Sequence, residues 1–435
     1  MLCCFILSLF IVSVTLGIQT AAAATYYVSP AGASVWSQCT DIALPCAAGT
    51  AMTNAVAGDT VYFRGGTYSI TGPRTPYNGL LQPSNNGTQS NPIVFQAYPG
   101  EIPVISINCT SPDNQCVAIG TNARNYITWD GFTLTTSNNK TAGIFIGGES
   151  WSTGAVFKNS TVIAGSLPVP YTDNFDITRM EKTSYAFYIN NKVGGLRTAS
   201  PGDNNAALKM YHNDHATIEN NEFFDSPMGI SAKSDLDYST IRNNYFHGNY
   251  EDFRTNIFTG IISFYDPACP SNRIYNNVFA NTRFMAIDVQ ADGDDVALAN
   301  DWRIYNNTIY APTSSWAMYL GKISNLVVYN NIIVTGSNGQ MTTVRSGSTV
   351  LEADHNLYGA GVPFQIKLNR YSGASIFSSF SAWTSSGALV NGGNPGAGSL
   401  VSAPMFVNSS GNMNQLADFG LAQNSPRQGG WPGRC

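Results

Sequence analysis

The sequence predicts an all-β solenoid, in which the chain winds into a stack of short coils. A motif of an aliphatic residue, any residue, Asn-Asn, any residue and an apolar residue recurs along the chain, as in IENNEFF from Ile218 and IYNNVFA from Ile274. Repetition at a period of about 20 to 50 residues is typical of solenoids and repeat arrays. The second asparagine of the motif recurs every 23 to 33 residues, at Asn221, Asn244, Asn277, Asn307, Asn331 and Asn356.

Composition and periodicity point the same way. Only 11% of the 435 residues are charged, whereas soluble domains average about 25%, so the charged faces of exposed helices are missing. The units between asparagine pairs hold no amphipathic run long enough for a helix. An aromatic content of 12% argues against disorder. The net charge of -5 offers no basic surface, so we expect no nucleic-acid partner.

The chain begins with a candidate secretion signal. Residues 1–18 carry no charge, and the small residues Ala21 to Ala24 follow them. This arrangement predicts a signal peptide over residues 1–24, with cleavage near Ala24. An uncleaved membrane anchor is the alternative, since 18 apolar residues just suffice to span a bilayer. We expect a secreted or cell-surface protein whose mature form, residues 25–435, is not membrane-bound.

Six cysteines follow the predicted signal, and an even number in an exported chain indicates disulfides. Two pairs lie seven residues apart in loop-like sequence, CTDIALPC and CTSPDNQC. Their spacings match no zinc motif. We predict two local bridges and one that joins the remaining cysteines, that is Cys39–Cys46, Cys109–Cys116 and Cys269–Cys435.

Each coil has room for two or three short strands, with the Asn-Asn pair at a turn between two of them. Successive coils pair in parallel about 4.8 Å apart, so equivalent asparagines lie above one another and can hydrogen-bond as a ladder. Asparagine also tolerates the left-handed conformation of a sharp turn. We therefore assign the asparagine pairs a structural role.

These patterns resemble the right-handed parallel β-helix proteins of the pectate-lyase-like superfamily. TYYVSPAGAS, a small-residue helical stretch near Ala47–Ala57 and GDTVYFRGGTY resemble the N-terminal cap of secreted members, and FSSFSAWTSSGAL resembles the start of their closing segment. The ending NSPRQGG departs from the usual form. The resemblance implies one domain with an N-terminal helical cap, divided into cap and first coils (25–105), central coils (106–358) and closing segment (359–435).

One strand of each coil presents a face suited to sugars. Because side chains alternate along a strand, we place Ile144, Leu208, Ile230, Ile261, Ile287 and Met318 inward. The outward positions then combine aromatic and polar side chains, which suit the apolar faces and the hydroxyls of a polysaccharide. The predicted substrate-binding residues are Tyr188, Asn190, Asn213, Phe264, Gln290 and Tyr319.

Two lysines on this face suggest a lyase acting on an acidic polysaccharide. Lys209 and Lys233 fall on adjacent coils, with their Cα atoms expected roughly 8 Å apart. Removing the proton α to a uronate carboxylate requires a base and a cation that stabilises the developing charge. Either lysine fits one of these roles, and Tyr211 or Tyr188 fits the donor that protonates the leaving oxygen.

The carboxylates leave two alternatives open. Asp235, Asp266 and Asp292 form one outward column, with Asp288 beside them. Carboxylates on neighbouring or next-neighbouring coils approach the separations used by glycoside hydrolases, with Asp288 as a catalytic candidate. The same column suits Ca²⁺, and the resemblance implies the Lys or Arg with Ca²⁺ of lyases of this fold. Because the fold also serves as an adhesin scaffold, a non-catalytic carbohydrate-binding protein is the third possibility.

Overall fold

The structure, a computed structural model, is a solenoid whose sheets run along its length. It describes residues 23–72, 81–110, 115–136, 141–164, 176–196, 205–248, 271–281, 285–289, 299–312, 317–321, 323–336, 339–343, 348–361, 363–369, 374–408, 413 and 415–425. Each coil contributes one short strand to each of two long parallel sheets, and most coils add a strand on a third side.

The first sheet has twelve parallel strands, one from each successive coil. Its inward positions are aliphatic or aromatic, and Ile218, Ile241, Ile274 and Ile304 lie in direct register. The strands are Thr25–Val28, Thr60–Phe63, Ile93–Ala97, Ile127–Asp130, Val156–Lys158, Phe187–Ile189, Thr217–Glu219, Thr240–Arg242, Arg273–Tyr275, Arg303–Tyr305, Leu326–Tyr329 and Val350–Asp354.

The second sheet also has twelve strands and follows the first after a tight turn in each coil. Phe223, Phe246 and Phe279 stack in its inward column, with ring centroids 5.1 and 4.7 Å apart. The strands are Gly66–Gly72, Pro103–Cys109, Thr133–Thr136, Thr161–Ile163, Lys192–Gly194, Glu222–Phe224, Tyr245–His247, Val278–Ala280, Thr308–Ala311, Ile332–Thr335, Leu357–Tyr358 and Leu400–Val401.

The third side of the solenoid carries two five-stranded sheets. The third sheet is parallel and consists of Gln115–Gly120, Thr141–Thr153, Asp176–Ser184, Ala206–Asp214 and Met228–Asp237. The fourth sheet ends in an antiparallel pair and consists of Ile287–Val289, Met318–Leu320, Met341–Thr343, Ile366–Leu368 and Ser375–Phe377. A small parallel pair is formed by Ala299–Asn300 and Ile323–Ser324.

The core fills the space between the three sides. Of the residues predicted to point inward, Ile261 lies outside the described residues, and the others are at most 2% exposed, namely Ile144, Leu208, Ile230, Ile287 and Met318. The predicted inward position of these five residues is therefore confirmed. Trp129, Phe95 and Phe63 fill the core near the N-terminal end.

The asparagine ladder forms as predicted at the turn between the first two sheets. The backbone N–H of each second asparagine donates to the side-chain oxygen of the next, and Asn277 donates in this way to Asn307 at 3.0 Å. The equivalent bonds of 2.9–3.0 Å join Ser160, Asn191, Asn221, Asn244, Asn277, Asn307, Asn331 and Asn356 in order. The first asparagine of each pair has φ of 54–56°, as at Asn220 and Asn276.

Both ends of the solenoid are covered. The α-helix Ala48–Asn54 lies where the small-residue stretch predicted it and buries Ala51 and Met52, with the 3-10 helix Trp36–Gln38 before it. Near the other end come the α-helix Phe380–Thr384 and the 3-10 helix Leu416–Phe419. The closing segment packs Phe406, Met413 and Phe419 on the outer side of the second sheet.

The predicted disulfides have different outcomes. Cys109 and Cys116 form a disulfide, with Cα atoms 5.6 Å apart. The predicted Cys39–Cys46 bridge is wrong for this structure, where both residues are buried thiols. Their sulfur atoms instead donate to backbone carbonyls, that of Cys39 to Val35 at 3.3 Å and that of Cys46 to Tyr27 at 3.6 Å. Cys269 and Cys435 lie outside the described residues.

Connections between the second side and the third side differ in length. Residues 164–175 precede the strand Asp176–Ser184, and residues 195–205 precede Ala206–Asp214, whereas only 225–227 precede Met228–Asp237. Among the helices in the described ranges, none has the length and apolar character needed to cross a membrane.

Candidate active site

The outward face of the third sheet holds charged and aromatic residues in two columns. Parallel pairing aligns Phe145, Arg179, Lys209 and Ser231 in one column. The other column aligns Gly147, Glu181, Tyr211 and Lys233. Lys209 and Lys233 are thus offset by two residues on adjacent coils, as predicted.

One strand of this face was assigned to the wrong segment from the sequence. We expected Tyr188 and Asn190 in these columns, but Arg179 and Glu181 occupy their places. Tyr188 belongs to the first sheet, is completely buried, and donates its hydroxyl to Thr178 at 3.2 Å.

A spacing in the sequence could have located the correct strand. Arg179 precedes Asn191 by 12 residues, as Lys209 precedes Asn221. Asn191 is a ladder asparagine and donates its backbone N–H to Asn221 at 2.9 Å. Counting back 12 residues from Asn191 and from Asn221 would therefore have placed Arg179 beside Lys209.

Arg179 is the centre of a cluster of ion pairs. Its Nε donates to Oδ2 of Asp176, and its Nη2 donates to Oδ1 at 3.1 Å. Its Nη1 donates to Oε2 of Glu181 at 3.2 Å. Nζ of Lys209 lies 3.9 Å from Oδ1 of Asp176. Two cations and two anions therefore balance within a single patch of the sheet.

The cluster is buried to different depths. The side chains of Lys209 and Asp176 are 0% and 2% exposed, whereas those of Arg179 and Glu181 are 16% and 10% exposed. Burial alone would lower the pKa of Arg179, but the charge and hydrogen bonds of Asp176 outweigh it and raise that pKa. Arg179 therefore stays protonated and acts as a fixed positive charge near the surface.

Tyr211 lies at the accessible edge of this cluster. It is partly exposed, and the Arg179 guanidinium carbon is 5.1 Å from the centroid of its ring. A cation over an aromatic face is favourable, and the same charge stabilises negative charge that develops on the phenol oxygen. Tyr211 is the predicted catalytic residue that the structure brings against a cation at the surface.

Other predicted residues lie deeper than expected. Lys209 and Asp288 are completely buried, so neither side chain reaches the accessible surface. Asp288 pairs in register with Tyr319, which is 9% exposed. These two residues, predicted to share an outward column, are therefore neighbours on adjacent coils. Asn213 is 1% exposed, and its side chain accepts from Thr183 at 2.7 Å, which makes its role structural.

Several predictions fall on residues whose side chains are not described. Phe264, Asp266, Gln290 and Asp292 lie outside the described residues, as do the side chains of Lys233 and Asp235. Among the described residues, no group of three or more His, Cys, Asp or Glu side chains could hold a metal ion. Both oxygens of Asp176 face cationic nitrogens, which does not suit Ca²⁺. The Ca²⁺ site at Asp235, Asp266 and Asp292 stays a prediction.

The sheets and the ladder define the class of the protein as a parallel β-helix. The family described as "Right handed beta helix region" matches residues 177–356. The parallel sheets and this match give the chain a right-handed parallel β-helix fold. No curated protein shows significant sequence similarity to it.

Solved structures with related folds include proteins of several kinds. Pectate lyase Pel9A is 17% identical, with a TM-score of 0.41 over 92% of this chain and 90% of its own. The GH136 lacto-N-biosidase from Eubacterium ramulus is 11% identical, with a TM-score of 0.49 over 87% and 68%. PfbA, a surface adhesin of Streptococcus pneumoniae, is 13% identical, with a TM-score of 0.39 over 72% and 83%. Similarity at this level concerns the fold alone.

Proposed function

We propose that the protein is a carbohydrate-active enzyme, a lyase that cleaves a uronate-containing polysaccharide by β-elimination. The observation that carries the proposal is the Arg179 guanidinium, which two carboxylates hold over the ring of Tyr211 on the outward face of the third sheet. This arrangement puts a permanent cation beside a proton-transfer group. We also propose that the enzyme acts outside the cell, since residues 1–24 have the character of a secretion signal.

The reaction requires no co-reactant. A base removes the proton α to the uronate carboxylate, and the electrons of that C–H bond form a carbon–carbon double bond to the neighbouring ring carbon. The bond from that carbon to the glycosidic oxygen breaks, and the oxygen takes up a proton. The products are an unsaturated sugar end and a new reducing end. Negative charge on the carboxylate grows in the transition state, so a fixed cation lowers the barrier.

The residues divide these tasks. Arg179 is bound to Asp176 and Glu181, but a guanidinium has five N–H donors, so it can also donate to the substrate carboxylate. Tyr211 is the proposed proton donor to the leaving oxygen. Lys233 is the proposed base, because its backbone pairs directly with that of Tyr211 on the next coil.

Lys209 has a supporting role in this proposal. Its side chain is completely buried and 3.9 Å from Asp176, so it acts on the substrate only through that carboxylate. We propose that Lys209 and Asp176 fix the position of the Arg179 guanidinium. Lys209 is therefore a positioning residue.

The test is incubation of the full-length protein with pectate, alginate, glucuronan and chondroitin, following the ultraviolet absorbance of unsaturated ends with and without a chelator. Tyr211→Phe should lower kcat about 100-fold or more, because it removes a general acid. Arg179→Lys should lower kcat by a similar factor. Tyr185→Phe, a matched change of a tyrosine that is 51% exposed elsewhere, should leave activity unchanged.

The other functions predict different results. New reducing ends without unsaturated ends would show that the protein is a glycoside hydrolase and not a lyase. Binding without cleavage of any chain would reject both enzyme activities and favour a non-catalytic carbohydrate-binding protein. Full activity of Tyr211→Phe would show that the site is misplaced, even if the substrate class is right. Loss of activity with chelator, restored by Ca²⁺, would support the predicted calcium site.

A further inference from the structure

A second concave site lies away from the candidate active site. It is a groove of about 660 Å³ beside the turn that joins the first and second sheets. Its sides are the asparagine turns of four successive coils and outward residues of the second sheet, and Gln415 and Leu416 of the closing segment border it. The residues of the third-sheet cluster do not line it.

One wall of the groove is a row of amide side chains. Asn159, Asn190, Asn220 and Asn243 are the turn residues of successive coils and have φ of 53–56°. Nδ2 of Asn190 donates to Oδ1 of Asn159 at 2.7 Å, so these amides bond along the row. An amide is both donor and acceptor, and the row repeats about every 4.8 Å. Asn190, predicted to bind substrate on the other face, belongs to this wall.

The other wall combines charges that cancel with stacked rings. Nζ of Lys192 lies 2.8 Å from Oε1 of Glu222, and Nε2 of His247 lies 2.9 Å from the same oxygen. The His247 ring stacks on Tyr245, with centroids 4.5 Å apart. This wall therefore offers hydrogen-bonding groups and the His247 ring, whose side chain is 20% exposed, with no large excess of either charge.

Within the part of the chain that the structure describes, the Tyr245 hydroxyl lacks a hydrogen-bond partner beside the groove. Tyr245 lines the groove and is 8% exposed, yet its hydroxyl has no hydrogen-bond partner among the described residues. A buried polar group that lacks a partner costs about 1–3 kcal/mol. A ligand that supplies a hydroxyl to this position would remove that cost.

We propose that this groove is a second, non-catalytic carbohydrate-binding site that takes a short neutral oligosaccharide. Sugar hydroxyls both donate and accept, as the amide row and Tyr245 require, and sugar C–H surfaces pack on aromatic rings. The neutral Lys192–Glu222 pairing favours an uncharged chain, in contrast to the Arg179 site. Because the groove crosses four coils, it suits an extended chain rather than a single sugar. This inference does not depend on the proposed lyase activity.

The experiment is isothermal titration calorimetry of the full-length protein with cellotetraose, xylotetraose and mannotetraose. At least one of the three should bind. Tyr245→Phe keeps the ring and removes only the hydroxyl, so it should weaken that binding at least tenfold. The control Tyr238→Phe changes a tyrosine that is 50% exposed on another turn row and should bind as wild type does.

The outcomes separate this site from the active site. Tyr211→Phe should bind the neutral tetrasaccharide normally, whether or not it cleaves uronate chains. Failure of all three tetrasaccharides to bind the wild-type protein would overturn the proposal. Equal binding by Tyr245→Phe and wild type would overturn it too, and a melting temperature no lower than that of wild type would show that the variant is folded.

Discussion

The ammonium of Lys209 lies 3.9 Å from the carboxylate of Asp176, and the two side chains are 0% and 2% exposed. An ion pair this deep is rare on the outward face of a sheet, where water normally screens charges. It stabilises the site only while both partners and Arg179 are present, because a single buried charge is costly.

Replacement of the buried lysine should destabilise the protein. Lys209→Met removes one cation and leaves the cluster with an excess negative charge. We expect a loss of about 3 kcal/mol, at the low end for breaking a buried ion pair, because Arg179 still neutralises Asp176. Urea unfolding measures this change. The control Lys158→Met breaks the more exposed pair with Asp130 and should cost less than about 1 kcal/mol. Equal losses in the two variants would contradict the special role of the buried pair.

The two asparagines of one motif should differ sharply in importance. The side-chain oxygen of Asn277 accepts from the backbone N–H of Asn244 at 3.0 Å, and its amide donates to the carbonyl of Ile241 at 3.0 Å. Asn277→Ala leaves these buried groups without partners and should cost about 3 kcal/mol. Asn276→Gly should stay within about 0.5 kcal/mol, because glycine tolerates the φ of 55° at this exposed turn. Similar losses in both variants, measured by urea unfolding, would contradict the conclusion that the second asparagine of the pair, and not the first, stabilises the turn.

Glu222 should make stability depend on acid pH. Two partners lower the pKa of Glu222 from 4.5 to about 2: the hydrogen bond with His247 contributes most, and Lys192 adds to it. A carboxyl with a lowered pKa contributes stability that is complete above 4.5 and is lost as the pH falls towards 2. The melting temperature of wild type should therefore exceed that of Glu222→Gln at pH 6, and the difference should shrink by about pH 2.5. A difference that stays constant across this range would argue against the pairing.

The cysteines allow a direct chemical test. Burial and the neighbouring Cys39 raise the pKa of Cys46 to about 12, so its thiol should resist alkylation at pH 8 in the folded protein and react after unfolding. Mass spectrometry of a digest made without reduction should find Cys109 linked to Cys116. A peptide that links Cys39 to Cys46 would instead support the prediction made from sequence.

The sequence predicted the fold better than the candidate site, because the ladder asparagines repeat from coil to coil and the residues of the outward face do not. The second asparagines satisfy buried backbone groups in each coil, so the same residue returns at each turn. Arg179 and Glu181 have no counterpart of their own type on neighbouring coils, where Lys209 and Tyr211 stand. Burial was harder still to predict, since nothing in the alternation of Ala206–Asp214 shows that Lys209 is covered.

Connections of unequal length enter the third sheet, and this has a consequence for how such a protein diversifies. Residues 164–175 and 195–205 lead into the strands that carry Arg179 and Lys209, while the 12 residues from each of these side chains to its ladder asparagine are constant. Insertions on the variable side leave the distance to the ladder unchanged. The segments that lead into these strands can therefore change in length without shifting Arg179 or Lys209 relative to the ladder, so variation in this part of the chain is decoupled from the position of the ion-pair cluster.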